Sequence, residues 1–237
     1  MLVSHKHRFI FIRTKKTAGT STEIALSRYC DGPDDIITKM SQFDQKLRDE
    51  LHIKPKNHLA SWHEYGAYDV FRLLTRGRIK QRFNGHVGAR EVRDHVGEDV
   101  WNSYFKFAFD RNPWDKTISN YFWRCRGKTG KIDLEEYFRI FNGRFNQYNY
   151  PLYTIDGELA VDFVGRYENL AEDLSYALKQ VGIEYDGWLP RAKGGARLDR
   201  RHYSEIFTDE QRDIIANHFA AEIELHGYEF EDRRAAA

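Results

Sequence analysis

Residues 9–26 read FIFIRTKKTAGTSTEIAL. The run 8–13 (RFIFIR) has the length and composition of a short buried strand. A loop of small and basic residues follows, and TSTEIALSRYC then suits a helix entering the core through Ile24, Ala25 and Leu26. The same order recurs along the chain. YFKFAFD (104–110) alternates and is rich in aromatics, which predicts a strand. Asn112-Pro113 then starts a helix with proline first and Asp115 in its first turn. LAVDFVG (159–165) predicts a third strand, followed by an amphipathic helix over 169–182 with Asn169 as cap and Gly182 at its end. Further helices are expected over 41–52, 66–76 and 87–97, and a last one runs from the Thr208-x-x-Gln211 capping box to Gly227. Strands alternating with helices predict an α/β fold with a central, mostly parallel sheet flanked by helices. Without a repeat or a long Pro/Gly/Ser linker, 1–237 reads as one domain with a frayed tail from Asp232.

The loop after the first strand has the chemistry to hold a phosphate-like group. Ala18 and Gly19 let backbone approach a ligand, and the N–H groups at a helix start point at whatever lies there. Thr17, Thr20 and Ser21 add hydroxyl donors, and Lys15 and Lys16 add positive charge. Two readings need no ligand: Thr20-x-x-Glu23 fits a capping box, and both lysines fit a solvated surface. The loop is not a Walker A sequence, because its lysines precede the only glycine.

Composition narrows the partners. Lys plus Arg number 37 against 36 Asp plus Glu in 237 residues, a net charge of +1 that argues against a generic nucleic-acid binder. No apolar run approaches the roughly 20 residues that cross a membrane, and Arg13 interrupts the first one before it resembles a signal-peptide core. Two cysteines, Cys30 and Cys125, make no disulfide framework, and they predict a reducing, cytoplasmic setting. Neutrality hides local imbalance. Residues 1–16 carry five Lys and Arg and 72–82 another five, both without an acid, while 191–201 carry five against Asp199 alone. Such runs commonly form solvated faces. Three of them in a neutral chain point to a site for an anion.

A second constellation, RNPWDKTISNYFW (111–123), follows the strand 104–110. Arg111 stands at the strand's C-terminal end, where α/β sheets bind ligands, and Ser119 lies about two turns into the helix. Arginine offers a planar fork for phosphate. Together, RTKKTAGTS and RNPWDKTISNYFW resemble the cofactor motifs of sulfotransferases that use 3′-phosphoadenosine 5′-phosphosulfate (PAPS). GHVGAREVRDHVG (85–97), VDFVGRYENLAEDL (161–174) and the closing YSEIFTDEQRDII…ELHGYEFE are similar to the carbohydrate and bacterial branch of that family. The likeness is weakest over about 31–80, a region that in this family often shapes the acceptor pocket. Lys15 stands where relatives commonly place proline, and Asp110 where an apolar residue is commoner.

The resemblance implies a P-loop-like, three-layer fold and in-line transfer of a sulfuryl group from PAPS to a hydroxyl or amine of a carbohydrate or small-molecule metabolite. It assigns Lys16 to the bridging oxygen, and Lys15, Thr17, Ala18, Gly19, Thr20 and Ser21 to the 5′-phosphosulfate. Arg111 and Ser119 fall to the 3′-phosphate, and Lys193 and Arg197 to a late basic loop over the nucleotide. His86, in Gly85-His86, matches a histidine-bearing position and is the expected general base, with His63 (ASWHEYG) as runner-up and Glu64 beside it. Trp62, Tyr65, Tyr68, Trp123, Tyr148 and Tyr150 are candidates to line an acceptor cleft, although aromatics more often build core. The basic run 72–82 would suit an anionic acceptor. Neither His5/His7 nor His58/His63 has metal-ligand spacing, so no metal is expected. A nucleotide or small-molecule kinase, and a non-catalytic binder of anionic polymers, remain the alternatives.

Overall fold

The structure is a computed structural model that describes residues 1–125, 132–141, 145–192, 197 and 199–234. Among them the chain runs β1 (Leu2–Ser4), β2 (Phe9–Ile12), α1 (Gly19–Ser27), β3 (Ile36–Ile37), α2 (Gln42–Asp49), α3 (Ala67–Arg76), α4 (Ala89–Val96), α5 (Glu98–Ser103), β4 (Phe105–Asp110), α6 (Pro113–Cys125), α7 (Leu134–Phe141), α8 (Tyr150–Tyr153), β5 (Thr154–Ile155), β6 (Glu158–Leu159), β7 (Phe163–Arg166), α9 (Leu170–Lys179), α10 (Asp209–His218) and α11 (Ala220–His226). Five strands form one sheet in the order β3-β1-β2-β4-β7. β2, β4 and β7 are parallel, with Ile12 opposite Ala108 and Asp110 opposite Arg166, whereas β1 is antiparallel to both neighbours.

Alternation along the strands explains why helices cover both faces. Val3, Ile10, Ile12 and Ala108 pack with Ala89 and Val92 of α4 and Trp101 of α5. Phe9, Phe11, Phe107 and Phe109 point the other way, onto Leu26 of α1 and Leu174, Ala177 and Leu178 of α9. The result is an α/β architecture in three layers around a mostly parallel sheet. A third apolar cluster joins α6 to α7, α10 and α11 through Trp114, Ile118, Tyr137, Phe138, Ile215 and Phe219, with Ile223 of α11 packed against it. The loops after β2 and β4, which are neighbouring parallel strands, therefore leave the sheet side by side at its C-terminal edge.

Several expectations change in detail. The sheet gains β1 and β3, too short to announce themselves by periodicity. β4 has no polar face, because both faces are covered and even Lys106 is buried, its ammonium donating to Trp101 O at 3.0 Å and Tyr104 O at 2.7 Å. The predicted strand 159–165 divides: Glu158–Leu159 pairs with β5 in a hairpin, and the sheet strand starts only at Phe163. Asn169 precedes α9 but its side chain makes no cap bond. The last helix breaks at Phe219, whose ψ of 21° leaves the helical range. Its ring is buried beside Phe145, 6.0 Å away. The Thr208–Gln211 capping box is present. Residues 235–237, the end of the expected tail, lie outside the described residues.

Candidate active site

The loop from Arg13 to Ala18 is held from several sides. Thr14 Oγ1 donates to the Phe109 carbonyl of β4 and lies 2.8 Å from Thr17 Oγ1. Lys15 N donates to Asn149 Oδ1 at 2.8 Å, and Lys15 Nζ to Asn146 O at 2.6 Å. Lys16 and Ala18 take left-handed φ values of 65° and 56°, rare for residues with a side chain. Gly19 is demanded by contact: a Cβ there would lie 2.8 Å from Arg13 Cγ and 3.2 Å from Thr14 O.

The capping box Thr20-x-x-Glu23 does not form. α1 starts at Gly19 with Ala18 as its cap, and no side chain bonds to the cap. Glu23 turns instead into the core, accepting from Arg13 Nη1 at 3.0 Å, Arg48 Nη1 at 3.4 Å and the Met1 amine at 2.9 Å. Thr20 Oγ1 accepts from Arg13 Nη2 at 3.0 Å, and Ser21 Oγ accepts from Ala192 N at 3.2 Å. Each hydroxyl acts as acceptor in these bonds and keeps its O–H to donate. Without the box, the first turn of α1 keeps the N–H groups and positive dipole end that suit an anion.

The second segment comes to the same place. Along α6, residues 112–114 and 116–118 are buried, while Arg111, Asp115 and Ser119 share the more accessible face at four-residue intervals and Trp123 continues it. Arg111 Nη1 donates to Lys16 O at 3.1 Å, and Lys16 Nζ lies 5.4 Å from the centre of the Trp123 ring. The Arg111 guanidinium stacks 3.9 Å over Tyr167 and donates through Nε to Asp115 Oδ2 at 2.8 Å. Arg197 Nη1 reaches the other oxygen of Asp115 at 2.9 Å. Ala192 on Ser21 and Arg197 on Asp115 thus bring both flanks of the late basic segment to the site. Lys193 lies outside the described residues.

His86 joins this assembly from the start of the segment leading to α4. Its Nδ1 is 3.0 Å from Arg13 O. Burial, with the Arg13 charge adding to it, lowers its pKa from the ordinary 6.5 to about 4. His63 belongs to another cluster. Trp62 stacks on Tyr65 at 5.1 Å, Tyr65 Oη accepts from Lys80 N at 3.0 Å, and Glu64 pairs with Arg82 rather than orienting His63. Trp62, His63 and Tyr65 make no hydrogen bond or ion pair to residues 13–19 among the described residues. Within the run 72–82, Lys80 pairs with Asp69 at 2.9 Å and Arg72 lies over Tyr68. Tyr148 and Tyr150 stack on each other at 6.3 Å; Tyr148 packs on His218 and Phe219, and Tyr150 donates to Gly157 O. Among the described residues, Trp123 alone of the acceptor candidates is tied to the loop.

Asp110 is turned away from the site. Fully buried, it accepts from Lys116 Nζ at 2.8 Å, Asn149 Nδ2 at 3.0 Å and Tyr153 Oη at 2.8 Å. Lys116 also pairs with Glu222, whose other oxygen takes the backbone N–H of Asn149 at 2.5 Å. Burial, with the Asp110 charge adding to it, outweighs Lys116 and raises the Glu222 carboxyl to about 7. Arg13, Asn149, Asp115 and Tyr167 are the site residues that sequence reasoning missed. Asn149 and Lys15 are 134 positions apart, and no local pattern links them. Among the described residues no group of three or more His, Cys, Asp and Glu is set to hold a metal ion, and no helix is long and apolar enough to cross a membrane.

The model of the sulfotransferase family matches residues 1–229. The chain belongs to the sulfotransferase family. An uncharacterized protein of Archaeoglobus fulgidus is 34% identical over 96 residues, covering 39% of this chain and 79% of the relative. A crystal structure of a sulfotransferase from Alicyclobacillus acidocaldarius covers 94% of this chain and 96% of its own at 17% identity, with a TM-score of 0.44. Membership makes the two converging segments the candidate active site of a sulfotransferase, with the loop 13–19 and the face of α6 as its halves.

Proposed function

We propose that this sulfotransferase moves a sulfuryl group from PAPS to a hydroxyl, or an amine, of a carbohydrate or small-molecule acceptor. The observation that carries the reading is the 3.1 Å bond from Arg111 Nη1 to Lys16 O, which joins the two halves of the site. The donor set fits a ligand that is anionic at both ends. At one end stand Lys16, Thr17, Thr20, Ser21 and the first N–H groups of α1; at the other stand Arg111, Ser119 and Arg197. Lys15, Ala18 and Gly19 shape the loop between them.

PAPS, when bound, supplies a sulfuryl group attached to a phosphate leaving group. The chain's own residues supply the rest of the chemistry. Lys16 brings its ammonium to the loop, over the Trp123 ring, where it would stabilise negative charge on the departing oxygen. Arg111 commits three of its five N–H groups to Asp115 and Lys16 O, and its other two would hold the 3′-phosphate. His86 receives the acceptor's proton on Nε2, because Nδ1 is engaged with Arg13 O.

The test is ligand-dependent melting followed by turnover. Adenosine 3′,5′-bisphosphate (PAP) raises the melting temperature without magnesium, and labelled PAPS gives labelled product with a panel of sugars and small hydroxylated or amino metabolites. Lys16→Ala abolishes transfer while PAP binding stays measurable. Stabilisation by ATP with magnesium, or by heparin alone, with none from PAP, overturns the reading.

A further inference from the structure

The Asn149 side chain answers both backbone groups of Lys15. Its Oδ1 accepts from Lys15 N at 2.8 Å, and its Nδ2 donates to Lys15 O at 3.1 Å. A neighbouring strand would offer the same pair of bonds; here one amide supplies both. The second hydrogen of Nδ2 goes to Asp110 Oδ1 at 3.0 Å. Reversing the amide would set its oxygen against the Asp110 carboxylate and the Lys15 carbonyl, so the network fixes its orientation.

The amide is itself rigidly mounted. Asn149 is fully buried, its backbone N–H is held by Glu222, and Asp110 and Glu222 share the buried Lys116 ammonium. What it holds needs holding. Lys16 and Ala18, one and three residues on, are both in the left-handed region, where a side chain costs on the order of 1 kcal/mol and persists only if the surroundings impose it. The Lys15 N–H meets an acceptor in the Asn149 amide, and Asp110 receives that amide's other hydrogen.

We propose that Asn149 is a positioning residue that pins Lys15 to the Asp110–Lys116–Glu222 network and so holds the loop 15–19 in its anion-accepting form. The nature of the anion rests on the sulfuryl-transfer reading; the clamp does not.

Backbone hydrogen exchange at Lys15 reads the clamp directly, and PAP binding reads its consequence. In the unmodified protein the Lys15 amide exchanges at least about 100-fold more slowly than an unstructured amide, and exchange at the unstructured rate overturns the proposal without any variant. In Asn149→Ala that protection falls by about tenfold or more and PAP binds about tenfold more weakly. Tyr153→Phe removes a different buried bond to Asp110 and serves as the comparison: its melting temperature falls, while Lys15 exchange stays within about twofold. Unchanged exchange in Asn149→Ala, or equal loss in both variants, overturns the proposal. Absence of PAP binding by the unmodified protein would remove the donor reading, and Lys15 exchange would still decide the clamp.

Discussion

His86 Nδ1 lies 3.0 Å from the carbonyl oxygen of Arg13, the residue that leads from β2 into the loop. A carbonyl oxygen only accepts, so Nδ1 carries the hydrogen and Nε2 holds the lone pair. The same contact that anchors the half-buried ring chooses the tautomer that the proposed general base needs. With its pKa lowered to about 4 by burial and by the Arg13 charge, the imidazole is neutral throughout the neutral range. The acid limb of kcat/KM therefore falls as pH approaches about 4, not the ordinary 6.5. His86→Asn lowers transfer by ~10²–10⁴. A limb at the ordinary histidine value, or full activity in the variant, would show that another group takes the proton.

Arg111 divides its guanidinium between Asp115, Lys16 O and the face of Tyr167. A charge-assisted bond is worth about 1.5–3 kcal/mol, so Arg111→Ala weakens PAP binding by roughly 10- to 100-fold. Adenosine 5′-phosphosulfate has no 3′-phosphate, and its affinity changes little in the same variant. Calorimetric titration of both ligands distinguishes the two halves of the site. Equal losses would mean that Arg111 supports the loop through Lys16 O instead of reading the 3′-phosphate.

Gly19 offers a steric test of the loop. Its missing Cβ is filled by Arg13 Cγ, and Arg13 cannot swing away without leaving Glu23 and Thr20. Thr14 O, the other close atom, is backbone tied to β4. Gly19→Ala therefore costs about 1–3 kcal/mol of stability, as overpacking does, and weakens PAP binding as well. Urea unfolding and PAP titration check the two effects. A variant as stable as the parent would show that the loop accommodates the methyl group.

The strand–loop–helix unit and the two candidate anion-binding segments were legible because each is written in consecutive residues. Phe9–Ile12 has no polar face to hide, and Asn112-Pro113 marks a helix start. Asp115 is an ordinary first-turn acid by its spacing, but its place between Arg111 and Arg197 requires the late segment to fold back on α6. Glu23 shows the opposite failure. Its spacing from Thr20 satisfies a local rule, yet Arg13 and Arg48 offer a buried carboxylate more than a capping N–H does. The Asn149 clamp left no trace in the sequence. An asparagine between two tyrosines signals nothing until β2, β4 and α8 are assembled.

Glu23 carries the last prediction, on stability. Burial pushes its carboxyl up, but the Met1 amine, Arg13 and Arg48 outweigh burial and hold it below the ordinary 4.5. Burial lowers the Met1 amine itself to about 6, so near neutrality the two guanidiniums carry the positive charge. Glu23→Gln keeps the shape and strands the Arg13 and Arg48 guanidiniums without a counter-charge, at a cost of about 3–5 kcal/mol in urea unfolding near neutral pH. The pH dependence has a definite sign. A depressed carboxyl pKa gives stability that is fully present above the unfolded value and lost as pH falls through the folded one. The stability gap between parent and variant is therefore fully present above about pH 4.5 and narrows as pH drops below it. A gap that stays constant through that range would mean that the cluster is held by packing and hydrogen bonds to Thr38 and Thr20, not by the charge of Glu23.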